Sequence, residues 1–441
     1  MKLFYVLVVL IFSQNCSFDN KSGIWKDNNS SSQKNNDTFK DFKALSTSNK
    51  SFNKVIPLDK NYQFKLNNPI NNFEWTDIYY DKSNNFNNFQ YSNNNKNIFK
   101  SKKLSKYKIS DYVLFEKNNL ITSDEKGNII VFSVNENKII VKFNFYKKKY
   151  KNINKTLNFI IDKNIIYISD NIGYLYSYDY KNNKVLWAKN YKIPFRSNLK
   201  LFEDKLIASN QNNNLYFFNK NNGDILKLIP TEEVIVKNQF INNLSLSNES
   251  LLFLNTYGSL YSIDINSMAM KWFTNLNQTL DLNPSNLFLG NEIINNDKKA
   301  IVSSNNSTYI IDIKTGSIDF KKNIPSEVKS VIHNNYLFLI SKNSFLTAIN
   351  INDGNILYSV DINESVANFF DTKKKEIQIK NMMLINNKIY IFLKNSYIIK
   401  LSIKGDIQEI TKLSVKINSQ PIIIDNSILY LNSKNGLSIL N

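Results

Sequence analysis

Four features of this sequence are of a type and spacing that could carry chemistry: a lone cysteine, a lone histidine, a lone arginine and a pair of adjacent carboxylates. Cys16 is the only cysteine and follows an uninterrupted apolar run over residues 3–12 that begins after Lys2. About ten apolar residues are too few to span a bilayer and match the h-region of a secretory signal. A cysteine immediately after such a run is where lipoproteins carry a diacylglycerol anchor, and Cys16 is expected to be lipidated. Asn15 and Ser13 depart from the residues usual before that cysteine, which leaves open an ordinary signal with an incidental thiol. An unpaired thiol would be out of place in an oxidising compartment. His333, the sole histidine, offers no Ser-His-Asp or Cys-His set, and a lone histidine is more often packed than catalytic. There is no HExxH, no phosphate-binding glycine loop and no cluster of metal ligands. Neither an enzyme nor a bound cofactor or metal is expected.

Arg196 is the only arginine among 56 basic residues. A guanidinium presents a planar, two-pronged donor that lysine cannot copy, so Arg196 is expected to clamp a carboxylate, either within the fold or on a partner. Glu232 and Glu233 precede Val234, Ile235 and Val236 in a stretch opened by Pro230. Adjacent carboxylates in a loop are usually just solvated. Mixed with exposed-looking aliphatics, they are expected to form a protein-binding rim.

The elements that must position these residues are short strands. Residues 163–188 read as strand, tight turn at Asp170–Gly173, aromatic-rich strand, Asp179-led turn, and a third strand carrying Trp187. The turn position recurs at Gly127, Gly173, Asn213, Gly258, Asn306, Ser344, Ser396 and about Asn435, a spacing of roughly 40–50 residues, which is that of a four-stranded propeller blade. Asp179, Asn219, Asp264, Asp312 and Asn350 follow, and eight residues beyond them come the large rings Trp187, Trp272, Phe320 and Tyr358. Such rings are suited to wedging between neighbouring sheets. The expected fold is all-β, an eight-bladed propeller of four-stranded antiparallel blades.

The last blade lacks its outer strand, because the chain ends after Leu440. Residues 69–80, with Phe73-Glu74-Trp75, resemble the end of a third strand with nothing before it. They are expected to supply the missing strand, so that both termini close one sheet and leave no free edge. The organisation read from this is a signal peptide at 1–15, a flexible polar tether at 16–68 rich in Asn, Ser and Lys, and a propeller at 69–441, a monomer. The stretches 229–242 and 361–381 are the long connections, where binding is expected. The formal net charge of +19 comes from lysines scattered along the chain. Nucleic acid would need them clustered on one face, and no nucleic-acid partner is expected.

The repeats at 166–187 and 253–272 look like those of quinoprotein-type propellers. Together with the signal, Cys16, the polar tether and Trp75, they resemble the BamB-like lipoproteins of the machinery that folds β-barrels into the outer membrane. That resemblance implies a non-enzymatic scaffold, lipid-anchored at the periplasmic face of the outer membrane. It would dock on POTRA domains of a BamA-like barrel-inserting subunit and contact other lipoproteins of the assembly machinery. The glycines missing at Asn213, Asn306, Ser344 and Ser396 depart from the repeat. A quinoprotein-like or small-ligand-binding propeller is the alternative.

Overall fold

The computed structural model describes residues 16–18, 25–27, 52–233, 241–277 and 287–441. The chain divides into two compact units, 1–50 and 51–441. In the first, Cys16–Phe18 pairs antiparallel with Trp25–Asp27, setting Cys16 opposite Asp27. The signal segment expected at 1–15 lies outside the described residues.

The second unit is an eight-bladed propeller of four-stranded antiparallel sheets. Blades 1 to 7 span residues 114–144, 157–190, 200–229, 243–275, 294–322, 331–361 and 379–412, each with its strands in chain order from axis to rim. The sequence dictates this layering. Middle strands such as Ser250–Leu254 and Tyr336–Ile340 are buried throughout and read as unbroken apolar runs, because a neighbouring blade covers each face. Outer strands such as Lys184–Asn190 alternate between exposed and half-buried residues, because one edge and part of each face meet water.

The rings and turn glycines of the repeat turn out to be partners across blades. A Cβ on Gly223 would lie 2.6 Å from the ring of Trp187 in the preceding blade, and Gly316 and Gly354 stand in the same relation to Trp272 and Phe320, each at 2.5 Å. All three glycines have positive φ, so both the turn and the close approach require them. Trp187 and Trp272 also donate their indole N–H to Lys220 O and Ile313 O in the following blade, at 2.8 and 2.9 Å. Of the four positions that lack glycine, Asn213, Ser344 and Ser396 adopt the left-handed conformation that glycine would supply. Asn306 does not; there the Ser304 hydroxyl closes the turn, donating to Ser307 O and accepting from Ser307 N–H.

Ring closure joins head and tail as expected, but with different residues. Asn97–Lys100 pairs antiparallel with Leu437–Leu440 and completes the blade formed by Ile422–Ile424 and Ser427–Leu431. Lys96 and Asn441 exchange backbone bonds of 3.0 and 2.9 Å, extending the seam. Trp75 is not in this sheet. It is 2% exposed and bridges Phe115 on the innermost strand of blade 1. The physical reason lies in the outer-strand pattern: an apolar pair between solvated lysines, as in residues 96–100, suits a half-exposed edge, whereas Trp75 belongs to an aromatic cluster that must be buried.

That cluster belongs to a hub. Residues 70–92 run around the axis and bond to the innermost strands or their ends in all eight blades. Trp75 meets Phe115 in blade 1, and Thr76 O accepts from Ile161 in blade 2. Lys200 of blade 3 reaches Asp77. Lys82 O accepts from Leu246 of blade 4, and Ser83 O from Asn295 of blade 5. Asn85 bonds Ile332 of blade 6 through both its side-chain atoms, Phe89 bonds Leu384 and Asn386 of blade 7, and Asn72 O accepts from Asp425 of blade 8. The segment before it, assigned to the tether by composition, also lies on the propeller. Ile56 bridges Ser359, Phe52 packs edge-on against Phe345, and Phe64 packs edge-on against Tyr336 and Tyr358. Its interleaved aromatics supply the apolar area that the surrounding Asn and Lys residues lack.

Candidate docking face and axial channel

The antiparallel strand order places the connections between blades and the turns between second and third strands on one face of the disc. Arg196 sits there, in the connection from blade 2 to blade 3. Its backbone is fixed from three sides: Phe195 N–H donates to Asp170 O, Arg196 N–H to Ser209 O, and Asn242 N–H to Arg196 O, at 3.0, 3.0 and 2.8 Å. The side chain is half-buried, and its Nε is buried without a hydrogen-bond partner. Among the described residues no carboxylate pairs with it. A fixed backbone carrying an unengaged guanidinium is able to receive an acidic group from outside.

Glu232 and Glu233 lie on the same face and differ in role. The Glu232 carboxylate accepts from Asn255 Nδ2 and Ser259 Oγ at 2.8 and 2.9 Å and from the Tyr261 hydroxyl, bracing blade 3 against blade 4. Burial alone would raise its pKa; the bonds from Tyr261, Ser259 and Asn255 outweigh burial and hold it below the usual range. Glu233 is exposed, with a 2.9 Å bond from Asn214. Val234 and Ile235 lie outside the described residues. The other long connection contains the helix Ile362–Phe369, capped by Asp361 and followed by Phe370; Phe369 and Phe370 are about half exposed. His333 is a packed residue: its Nε2 accepts from Asn67 N–H at 3.0 Å, and burial lowers its pKa. Among the described residues no group of three or more His, Cys, Asp or Glu could hold a metal ion.

The axis is plugged at one end and hollow at the other. The hub fills the end where first and second strands join. Its anchor is Lys200, whose Nζ donates to Asp77 Oδ2 at 2.7 Å, to Asp81 O at 2.8 Å and to Asn84 Oδ1, with the ammonium fully buried. Asn84 adds two amide bonds of 2.8 Å, to Leu244 O and Ile293 O. Above the hub, towards the Arg196 face, a cavity of about 190 Å³ is floored by Trp75, Ile78, Tyr79 and Phe86. Sequence reading missed both features. The available signal was six large aromatics between Trp75 and Tyr91 in a stretch otherwise dominated by asparagine.

Comparison with known proteins places this architecture. The family model described as outer membrane protein assembly factor BamB matches residues 126–359. The chain belongs to this family. The match runs from the central hairpin of blade 1 to the outer strand of blade 6. The fold is similar to that of BamB from Moraxella catarrhalis, at a TM-score of 0.61 and 13% identity over 78% of this chain and 99% of that one. It is equally similar to the quinohemoprotein alcohol dehydrogenase from Comamonas testosteroni, at a TM-score of 0.63 and 8% identity over 83% of this chain and 80% of that one. A computationally designed protein, Ika8, matches at 0.57 and 11% identity over 77% of this chain and 98% of that one. At such identities the likeness is one of fold. Among curated protein sequences none matches the chain significantly.

Proposed function

We propose that the chain is a non-enzymatic scaffold of the outer-membrane β-barrel assembly machinery, lipid-anchored through Cys16 at the periplasmic face and docked on POTRA domains of the barrel-inserting subunit. The observation that carries this reading beyond family membership is Arg196: a half-buried guanidinium on a fixed backbone at the connection face, paired with no carboxylate among the described residues. A partner acid supplied there would form a two-pronged, charge-assisted pair at the edge of a protein interface. Glu233 lies on the same face, with a bond from Asn214.

The test is co-purification with a POTRA-containing barrel protein, using wild type, Arg196→Ala and Arg196→Lys. Loss of a partly desolvated pair costs about 2 kcal/mol or more, roughly a 30-fold loss of affinity, with the melting temperature unchanged because the guanidinium bonds no other described residue. If both variants bind the partner as wild type does, the docking site is elsewhere. Labelling of Cys16 with radiolabelled palmitate tests the anchor. The likeness to a quinohemoprotein dehydrogenase keeps a second reading, a ligand-binding propeller, which a quinone-like absorption band or calcium-dependent turnover in the purified protein would favour.

A further inference from the structure

The axial cavity is lined by four acidic and basic side chains, no two of which come within ion-pair distance. Glu292 enters from the approach to blade 5, Glu327 and Lys329 from the approach to blade 6, and Lys380 from the first strand of blade 7. A protein that merely fills its axis would pair such groups or replace them with apolar ones, because an uncompensated buried charge is costly. Here no ion pair joins any two of them. Lys329 is 7% exposed; its Nζ donates to Tyr79 O at 3.0 Å and lies 3.3 Å from the centre of the Phe86 ring. Neither contact supplies a negative charge, and the carboxylates of Glu292, Asp81 and Asp77 act on it only from beyond ion-pair distance. Lys380 has only Asp111, at 3.9 Å, beyond hydrogen-bond range. The Glu292 and Glu327 side chains make no hydrogen bond. Gln420 Oε1, also on the wall, is buried without a partner. Burial pushes the Lys329 ammonium down to about 7 and raises the Glu327 carboxyl.

The composition of the wall identifies what would fit. Two ammonium groups and two carboxylates balance, so a simple anion would leave the glutamates facing it and a simple cation the lysines. A ligand carrying one charge of each sign satisfies both sets. Its body would rest on the aromatic floor of Trp75, Tyr79 and Phe86. At about 190 Å³ the space is smaller than the roughly 300 Å³ at which drug-sized pockets begin. We propose that the axial cavity is a binding site for a small zwitterion of amino-acid size, its carboxylate received by Lys329 and Lys380 and its ammonium by Glu292 and Glu327. This site is independent of the docking reading, since neither Arg196 nor Glu233 lines it.

Titration calorimetry of the full chain with glycine, L-alanine and L-phenylalanine tests the proposal. Phenethylamine and 3-phenylpropionate, which lack the carboxylate and the amine respectively, serve as controls. At least one amino acid is expected to bind saturably, and L-phenylalanine at least tenfold more tightly than either control. Lys329→Met and Glu327→Gln are each expected to weaken binding tenfold or more. Glu327 is only half-buried and unbonded, so its variant reads the same site without disturbing the core. No saturable heat for any amino acid at millimolar concentration, equal binding of a control, or undiminished binding by a folded variant overturns the proposal.

Discussion

The hub makes the ring a wheel with an axle, and its strongest fastening can be broken one atom at a time. Asp77→Asn keeps the shape of the side chain, and the acceptor Oδ1 that receives Tyr79 N–H at 2.9 Å, but removes the charge facing Lys200. The Lys200 side chain is 0% exposed and that of Asp77 4%, so the ammonium is left with only the neutral acceptors Asp81 O and Asn84 Oδ1. Removing one member of such a buried pair costs about 3–5 kcal/mol. For a folding unit spanning residues 51–441, an unfolding entropy of about 2.1 cal/mol/K per residue gives roughly 0.8 kcal/mol/K, so the melting temperature should fall by about 4–6 °C. Replacing both partners, as Asp77→Leu with Lys200→Met, should recover part of that loss, because no charge remains buried alone. Calorimetry measures the shift, and hydrogen exchange of amides 76–84 locates it: these should exchange faster in Asp77→Asn while the outer strands do not. A melting temperature within 1 °C of wild type, or loss of protection spread evenly over the blades, would refute the idea that this pair fastens the hub to the ring.

Other consequences follow from single contacts. Gly316→Ala forces a side chain into φ +76° and against the Trp272 ring, costing about 2–4 kcal/mol. The cost should shrink in a Trp272→Ala background, where a double-mutant cycle reads the coupling. Lys329 makes stability depend on pH. Burial lowers its ammonium to about 7, against an ordinary value of 10.5, outweighing the facing carboxylates of Glu292, Asp81 and Asp77, while Lys200 adds to the lowering. Above pH 7 the native chain sheds this proton while the unfolded chain keeps it, so stability should rise with pH up to about 10.5, by at most about 1.4 kcal/mol per unit. Below pH 7 both states hold the proton and the burial cost stands in full. Denaturant titrations across pH 6–10 should therefore show Lys329→Met to be more stable than wild type at neutral pH and to lack this part of the slope.

Legibility in the sequence followed the reach of each interaction. The blades could be read because their determinants repeat at a fixed interval: Trp187 and Gly223, Trp272 and Gly316, and Phe320 and Gly354 each recur as ring and glycine, although only the structure shows them to be partners across neighbouring sheets. Arg196 could be singled out by its uniqueness, and its position on the connection face followed from strand order. The closing strand could be inferred to exist, because the last blade was one strand short, but its residues could not be read from resemblance to a tryptophan-ended strand. Asn97–Lys100 is short and makes its bonds to a segment more than 330 residues away.

The hub was hidden for a different reason. Asparagine was read as the mark of a solvated tether, and in the first fifty residues its abundance carries no other information. Along the axis the same residue does structural work that no apolar side chain could. Eight innermost strands converge there with backbone groups that lack a further strand to pair with, and each must be satisfied. An asparagine offers donors and an acceptor on a short stem, and Asn84 uses them to tie Leu244, Ile293 and Lys200 together, while Asn85 receives from and donates to Ile332, and Asn72 reaches Ile423. What separates hub from tether is the set of aromatics threaded between the amides: Trp75, Tyr80, Phe86 and Phe89 pack on one another with ring centres 4.7–6.3 Å apart. The amides satisfy the strand ends, the rings supply the buried area, and together they close one end of the axis. The charged cavity lies beyond them, towards the face that carries Arg196.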